Sequence, residues 1–330
     1  MIEDKILTTI KEYNLIEPED IVLIAVSGGP DSMCLLNAIY DLKEILRIKK
    51  IAIVHINHML REEAEEETQY VKKFAENKNI DFFVKYVDIK KISENNKIGE
   101  EEAGRKERYK FFEEIAEKIN ANKIAIAHNY NDNAETILMH LMRGTGISGL
   151  AGIKPYREGK YIRPIIKCTR EEIEKYCEDK KLNPRYDKSN KNNLYTRNRI
   201  RNELIPFIKN KFNPNIIDTL NRLSSLVNEE ENFIEKVINV EYENILKSED
   251  ENKIQIDVKS FNKLDKYIKS KVVLYIIKKL FGSTNGIEQI HIKDIIKLCE
   301  NNIGNKYLTP NKHTRVFIKS GVVSFEKVLN

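Results

Sequence analysis

The stretch Ile21-Val22-Leu23-Ile24-Ala25-Val26-Ser27-Gly28-Gly29-Pro30-Asp31-Ser32 decides how the rest of the chain is read. Six unbroken apolar residues, mostly β-branched, predict a strand buried on both faces. The small residues that follow predict a sharp turn into a helix beginning at Met33, with Asp31 or Ser32 as its cap. Gly28 and Gly29 carry no side chain to bar an anion and reach backbone angles closed to other residues. Successive amide groups can therefore face phosphate oxygens, and the positive end of the helix adds to the attraction. A Gly-Pro turn after an ordinary buried strand is the plainer alternative.

Two common nucleotide loops are excluded. A GxxxxGK[ST] loop needs a lysine for the outer phosphates, and none occurs between Ser27 and Asn37. The dinucleotide pattern GxGxxG lacks its third glycine. What remains, Ser27-Gly28-Gly29-Pro30-Asp31-Ser32, resembles the SGGxDS loop of the PP-loop ATP pyrophosphatases. The resemblance implies cleavage of ATP between its α and β phosphates, adenylation of a substrate and release of pyrophosphate. It also implies that residues 27–32 contact ATP and that Asp31 acts in catalysis and holds Mg2+.

The 330 residues leave room for two domains, and 41% apolar with 32% charged residues describes a globular chain. Apolar runs of about six residues fall far short of a membrane span, so no membrane partner is expected. The acidic start Met1-Ile2-Glu3-Asp4-Lys5 lacks a signal-peptide core, which makes the cytoplasm the expected location. Cys34, Cys168, Cys177 and Cys299 form no CxxC pair, so neither zinc nor an iron–sulfur cluster is indicated. Residues 180–211 hold ten basic side chains against Asp187 and Glu203, a local surplus larger than the net charge of +5. That is either a polyanion footprint or a solvated lysine-rich surface.

Outward from the loop, residues 2–14 carry apolar positions at helical spacing. Residues 33–46 predict a helix and residues 50–56 a second buried strand, together a βαβ unit with a parallel sheet. Asn57-His58-Met59-Leu60-Arg61 lies at that strand's carboxyl end, where ligands bind in open α/β sheets, which makes His58 a candidate nucleotide contact. A helix (62–77), a short strand (82–87) and a polar loop lead to a long helix over 99–120. In it Arg105 and Arg108 share a face, either as surface ion pairs or as ligands for an anion.

A third strong strand (123–127) runs into His128-Asn129-Tyr130-Asn131-Asp132-Asn133-Ala134-Glu135-Thr136. Asp132 and Glu135 fall one turn apart near a helix start; they can cap that helix or hold an ammonium group or Mg2+. The glycine-rich stretch Arg143-Gly144-Thr145-Gly146 after that helix is either a ligand-contacting loop or a connector. From Pro214 the pattern changes to a long helix (216–246), a strand (253–258), two helices (264–280 and 288–300) and a closing hairpin (307–327). The fold class expected is α/β, a doubly wound and mostly parallel Rossmann-like sheet. A helical linker and a small α+β domain follow it, with the division at 213/214.

Taken together, Gly99 to Tyr109, His128 to Pro155, Asp187-Lys188-Ser189-Asn190 and Tyr195-Thr196-Arg197-Asn198-Arg199-Ile200-Arg201 resemble the tRNA(Ile)-lysidine synthetases. The resemblance, covering the first two-thirds of the chain, implies ATP-dependent joining of free L-lysine to C2 of the wobble cytidine in the CAU anticodon of tRNA(Ile). The cytidine is first adenylated, and AMP leaves when the lysine amine attacks. It further implies that Asp132 and Glu135 grip the lysine, helped by Arg105 or Arg108. ATP contacts would come also from His58, Gly144, Thr145 and Gly146. Asn190 would touch substrate, and Arg197, Arg199 and Arg201, spaced two apart, would reach tRNA phosphates in different directions. A homodimer is compatible with it. Where the family usually has a second acid, this chain has Asn131. The alternative is another PP-loop tRNA-modifying enzyme, such as a thiolase.

Overall fold

The computed structural model describes residues 2–59, 63–185, 195–284, 286–301 and 307–328. They fall into two compact units, Met1–Val227 and Asn228–Asn330.

The first unit opens with α1 (Ile2–Glu12), β1 (Ile21–Ala25), α2 (Pro30–Asp41) and the short α3 (Lys43–Leu46). Next come β2 (Lys50–Asn57), α4 (Glu63–Lys78), β3 (Asp81–Tyr86), α5 (Ile89–Asn96), α6 (Glu100–Ile119) and β4 (Lys123–Ala125). Then follow α7 (Tyr130–Met142), α8 (Ile147–Leu150), the pair β5 (Tyr156–Arg157) and β6 (Tyr161–Ile162), and α9 (Arg170–Asp179). The unit closes with α10 (Thr196–Arg199), a π-helical turn (Ile200–Leu204), α11 (Ile205–Lys211) and the start of α12 (Ile216–Ile245). The sheet has the order β3-β2-β1-β4-β6-β5, parallel throughout except for the β5–β6 pair at one edge.

β1 shows why an unbroken apolar run makes a central strand. Val22 and Ile24 pack with Ile6, Leu35 and Ile173 on one face of the sheet. Leu23 points to the other, into a cluster with Val54, Phe112 and Ile115. Both faces are covered, so there is no polar alternation to read.

Several local expectations are corrected. The helix after the loop starts at Pro30, not Met33, and its cap is Gly29 without a side-chain bond, so Asp31 lies inside the first turn. Proline fits the first helical position because its fixed φ suits the turn and its missing N–H would have had no helical partner there. The segment expected as a polar loop after β3 contains α5, capped by the Asp88 side chain accepting from the Lys91 amide. The β5–β6 pair and α9 are further additions to the sequence reading.

The second unit is built on the antiparallel order β7-β8-β11-β10-β9, comprising β7 (Leu246–Glu249), β8 (Lys253–Asp257), β9 (Tyr307–Asn311), β10 (Thr314–Lys319) and β11 (Val322–Lys327). Helices α13 (Val258–Lys263), α14 (Lys266–Phe281) and α15 (Gln289–Glu300) share its core through Phe261, Ile276 and Ile295, packed with Phe325. No helix among the described residues is long and apolar enough to cross a membrane.

Candidate active site

The chain leaves β1 toward β2 and β3 on one side and returns to place β4 on the other. Neighbouring loops part company at such a switch, and a crevice opens at the carboxyl ends of the strands. A cavity of about 730 Å3 lies there, lined by Ser27 after β1, His58 after β2, Arg105 and Arg108 of α6, and His128 after β4.

The loop between β1 and α2 is held by its own hydroxyl groups. The Ser27 amide donates to Ser32 Oγ at 3.1 Å, and Ser32 Oγ donates to the Gly29 carbonyl at 3.0 Å. The Gly28 carbonyl accepts from the Arg185 amide at 2.9 Å. Gly28 has φ +91°, a conformation that side-chain-bearing residues rarely adopt, although a Cβ would meet nothing nearer than 3.5 Å. The constraint on this glycine is therefore conformational and not steric.

Asp31 faces the start of α7. The Asn129 side-chain amide donates to Asp31 Oδ1 at 2.8 Å. Asn129 also caps α7, its side chain accepting from the Asp132 amide at 2.9 Å while Asp132 Oδ2 accepts from the Asn129 amide at 3.1 Å. Burial and then the neighbouring Asp132 carboxylate push the Asp31 carboxyl up to about 6, against the pull of the Asn129 hydrogen bond. Among the described residues no arginine forms an ion pair with Asp31. A Mg2+ ion binds through one or two carboxylates plus substrate phosphates, and the Asp31 carboxylate beside an amide-lined loop offers one such ligand, although the charges of Arg170 and Arg201 also act on it.

Asp132 and Glu135 are different. Glu135, 1% exposed, accepts from Arg201 at both oxygens, Nε to Oε1 at 2.6 Å and Nη2 to Oε2 at 2.8 Å. Arg197 Nε reaches Oε2 at 3.0 Å, and Arg170 Nη2 lies 3.8 Å from Oε1. Arg201 Nη2 also donates to Asp132 Oδ1 at 3.0 Å. The expectation that Arg197, Arg199 and Arg201 point apart is therefore corrected. Arg197 and Arg201 stand four residues apart across α10 and the π-helical turn and converge on one carboxylate. Arg199 alone is exposed.

Arg105 and Arg108 reach the cavity from α6, where Arg105 also lies over the Tyr109 ring at 5.0 Å. His58 packs against Gly104 of the same helix. Gly144, Thr145 and Gly146 do not line the cavity. They are exposed beyond the C-terminal end of α7, at the opposite end of that helix from Asp132. Asn190, with the rest of residues 186–194, lies outside the described residues. Asn131 accepts from the Arg170 amide at 3.1 Å and so joins α7 to the start of α9.

Asn129, His128, Arg163 and Arg170 were not singled out as site residues by the sequence. The His128 Nδ1 atom accepts from Arg163 Nε at 2.9 Å, so the ring's remaining proton sits on Nε2. Burial, then the cations of Arg163 and Arg197, hold this histidine well below its usual range, so it is neutral at physiological pH. The Arg163 contact spans 35 residues of sequence and has no local signal; Asn129 had one, as an Asn three residues before Asp132 at a helix start.

Residues 1–208 match the family model described as the PP-loop domain, so fold and site together define a PP-loop ATP-binding protein. A solved U34-tRNA thiolase from Methanococcus maripaludis, with its [4Fe-4S] cluster, shares the fold at a TM-score of 0.56 and 18% identity, over 68% of this chain and 78% of that one. Among curated proteins, a tRNA(Ile)-lysidine synthase from Clostridioides difficile is 42% identical, covering 100% of this chain and 72% of its own length. One from Clostridium acetobutylicum is 44% identical, over 94% and 67% respectively. The chain belongs to the tRNA(Ile)-lysidine synthase family.

Proposed function

We propose that this protein is a carbon–nitrogen ligase that uses ATP to attach L-lysine to the wobble cytidine of tRNA(Ile) bearing the CAU anticodon. The observation that carries the reading is the Ser27–Ser32 stretch at the switch point, with its Asp31 bonded to Asn129, in a chain 42–44% identical to curated lysidine synthases. The reaction has two displacements. The cytidine C2 oxygen attacks the α phosphate and pyrophosphate leaves; the lysine ε-amine then attacks C2, and AMP departs with the oxygen.

In this reading the amides of residues 27–32 bind the outgoing phosphates. Mg2+ held at Asp31 would supply neutralisation of phosphate charge. Arg105 and Arg108, with the neutral His128, face the reacting groups from two sides of the cavity. Asp132 and Glu135 receive the lysine amines in exchange for arginine contacts they make here, since both acids are already fully engaged. Arg199 contacts tRNA phosphate. A cytoplasmic location and a homodimer complete the proposal.

The thiolase reading has less support. Cys34, Cys168 and Cys177 are buried, and burial raises each thiol above its usual range, which suits packing and not sulfur transfer. The test combines tRNA(Ile), ATP and labelled lysine, omitting each in turn. Incorporation that requires all three, and is lost when the anticodon is changed from CAU, supports the assignment; incorporation without ATP or into any tRNA overturns it.

A further inference from the structure

Phe207 on α11 is 54% exposed and Phe212, at the helix end, 75% exposed, with their ring centroids 5.6 Å apart in an edge-to-face pair. The helix buries Ile205 instead, so the aromatic pair is its outward side. The corner bearing Phe212 is tightly fixed. The Ile208 carbonyl accepts from the amides of both Phe212 (2.9 Å) and Asn213 (2.8 Å). The Asn213 side chain then donates to Thr219 Oγ1 at 3.1 Å and accepts from the Asn215 amide at 2.9 Å. An exposed ring on a rigid corner loses little freedom when a planar group lands on it.

The surroundings are basic. Lys211 sits one turn after Phe207 on the same side of α11, half-buried Lys209 sits one turn before Phe212, and Arg199 is exposed earlier in the sequence. None of these three has a carboxylate partner among the described residues. Apolar planes framed by unpaired cations suit a ligand that carries both planar rings and negative charge. Paired bases are stacked inside a duplex and cannot reach such a surface, whereas the bases of a single strand can.

We propose that Phe207 and Phe212, flanked by Lys209 and Lys211, form a stacking platform for an unpaired base of the RNA substrate. The inference rests on the tRNA reading above and adds a contact outside the catalytic cavity. Binding of a fluorescently labelled tRNA(Ile) transcript with the CAU anticodon, measured by anisotropy against salt, tests it. Phe212→Ala weakens binding roughly tenfold with an unchanged slope of log affinity against log salt, and Phe212→Trp restores it. Lys209→Ala and Lys211→Ala each flatten the slope by about 0.7. Wild-type affinity in Phe212→Ala overturns the platform, as does conversion of a dimer to a monomer on sedimentation, which would assign the pair to a second copy of the chain. If the wild type incorporates lysine into this tRNA while Phe212→Ala binds normally, the platform alone fails; if the wild type incorporates none, the functional reading fails.

Discussion

Arg201 holds Glu135 in a fork, with Nε on one carboxylate oxygen at 2.6 Å and Nη2 on the other at 2.8 Å. Glu135 is 1% exposed, so the pair sits where water cannot replace a lost partner. Arg201→Ala should lower stability by about 2 kcal/mol, less than for an isolated buried pair because Arg197 remains. Arg201→Lys should recover little of that, since an ammonium cannot span both oxygens. Urea unfolding of the three proteins checks this, and equal midpoints would refute the fork's role.

Asp31 predicts an unusual pH dependence. Its carboxyl rises from 3.8 to about 6 on folding, so between those values the folded state binds more protons than the unfolded one. Stability contributed by this group therefore falls as pH rises from about 4 to about 6, the reverse of a salt-bridged acid. Asp31→Asn should be more stable than wild type at pH 7.5 by roughly 1–2 kcal/mol, and the difference should vanish near pH 4. The same variant should lose pyrophosphate release while keeping tRNA binding. A destabilised Asp31→Asn at pH 7.5 would contradict the assignment.

Gly28→Ala tests conformation apart from space. A methyl group meets only ordinary contacts, but φ +91° should cost it roughly 1–2 kcal/mol. If the loop relaxes to avoid that strain, its amides turn from the phosphates, and ATP binding measured by calorimetry should weaken about tenfold. Unaltered ATP affinity would show that the loop geometry does not serve the nucleotide.

The arginines of the α10 region should separate by function. Arg199→Ala should flatten the salt dependence of tRNA binding by about 0.7 to 0.9 in log–log slope without affecting folding. Arg197→Ala should destabilise the protein, because Arg197 Nε bonds Glu135 at 3.0 Å. Identical behaviour of the two variants would remove the distinction.

Much of this was legible in the residues. β1 could be read because a strand covered on both faces needs no polar position, and Leu23 and Ile24 do pack on opposite faces. α2 starts three residues before the Met33 that a cap at Asp31 or Ser32 predicts, and Pro30 marks its first turn. Thr169-Arg170-Glu171-Glu172 spells out a capping box, and α9 begins there. The two-residue steps from Arg197 to Arg199 to Arg201 obscure the meeting of Arg197 and Arg201, whose four-residue separation is a helical turn. Contacts such as Arg163 to His128 come from the sheet bringing distant strand ends together, and no local pattern announces them.

Asn131 has a wider consequence. Its work in the fold is to accept one backbone hydrogen bond from Arg170, which an amide oxygen and a carboxylate oxygen do equally well. The charge at that position can therefore change while the architecture stays the same. Substituting an acid would add a carboxylate next to Asp132 at the start of α7 without removing that backbone bond.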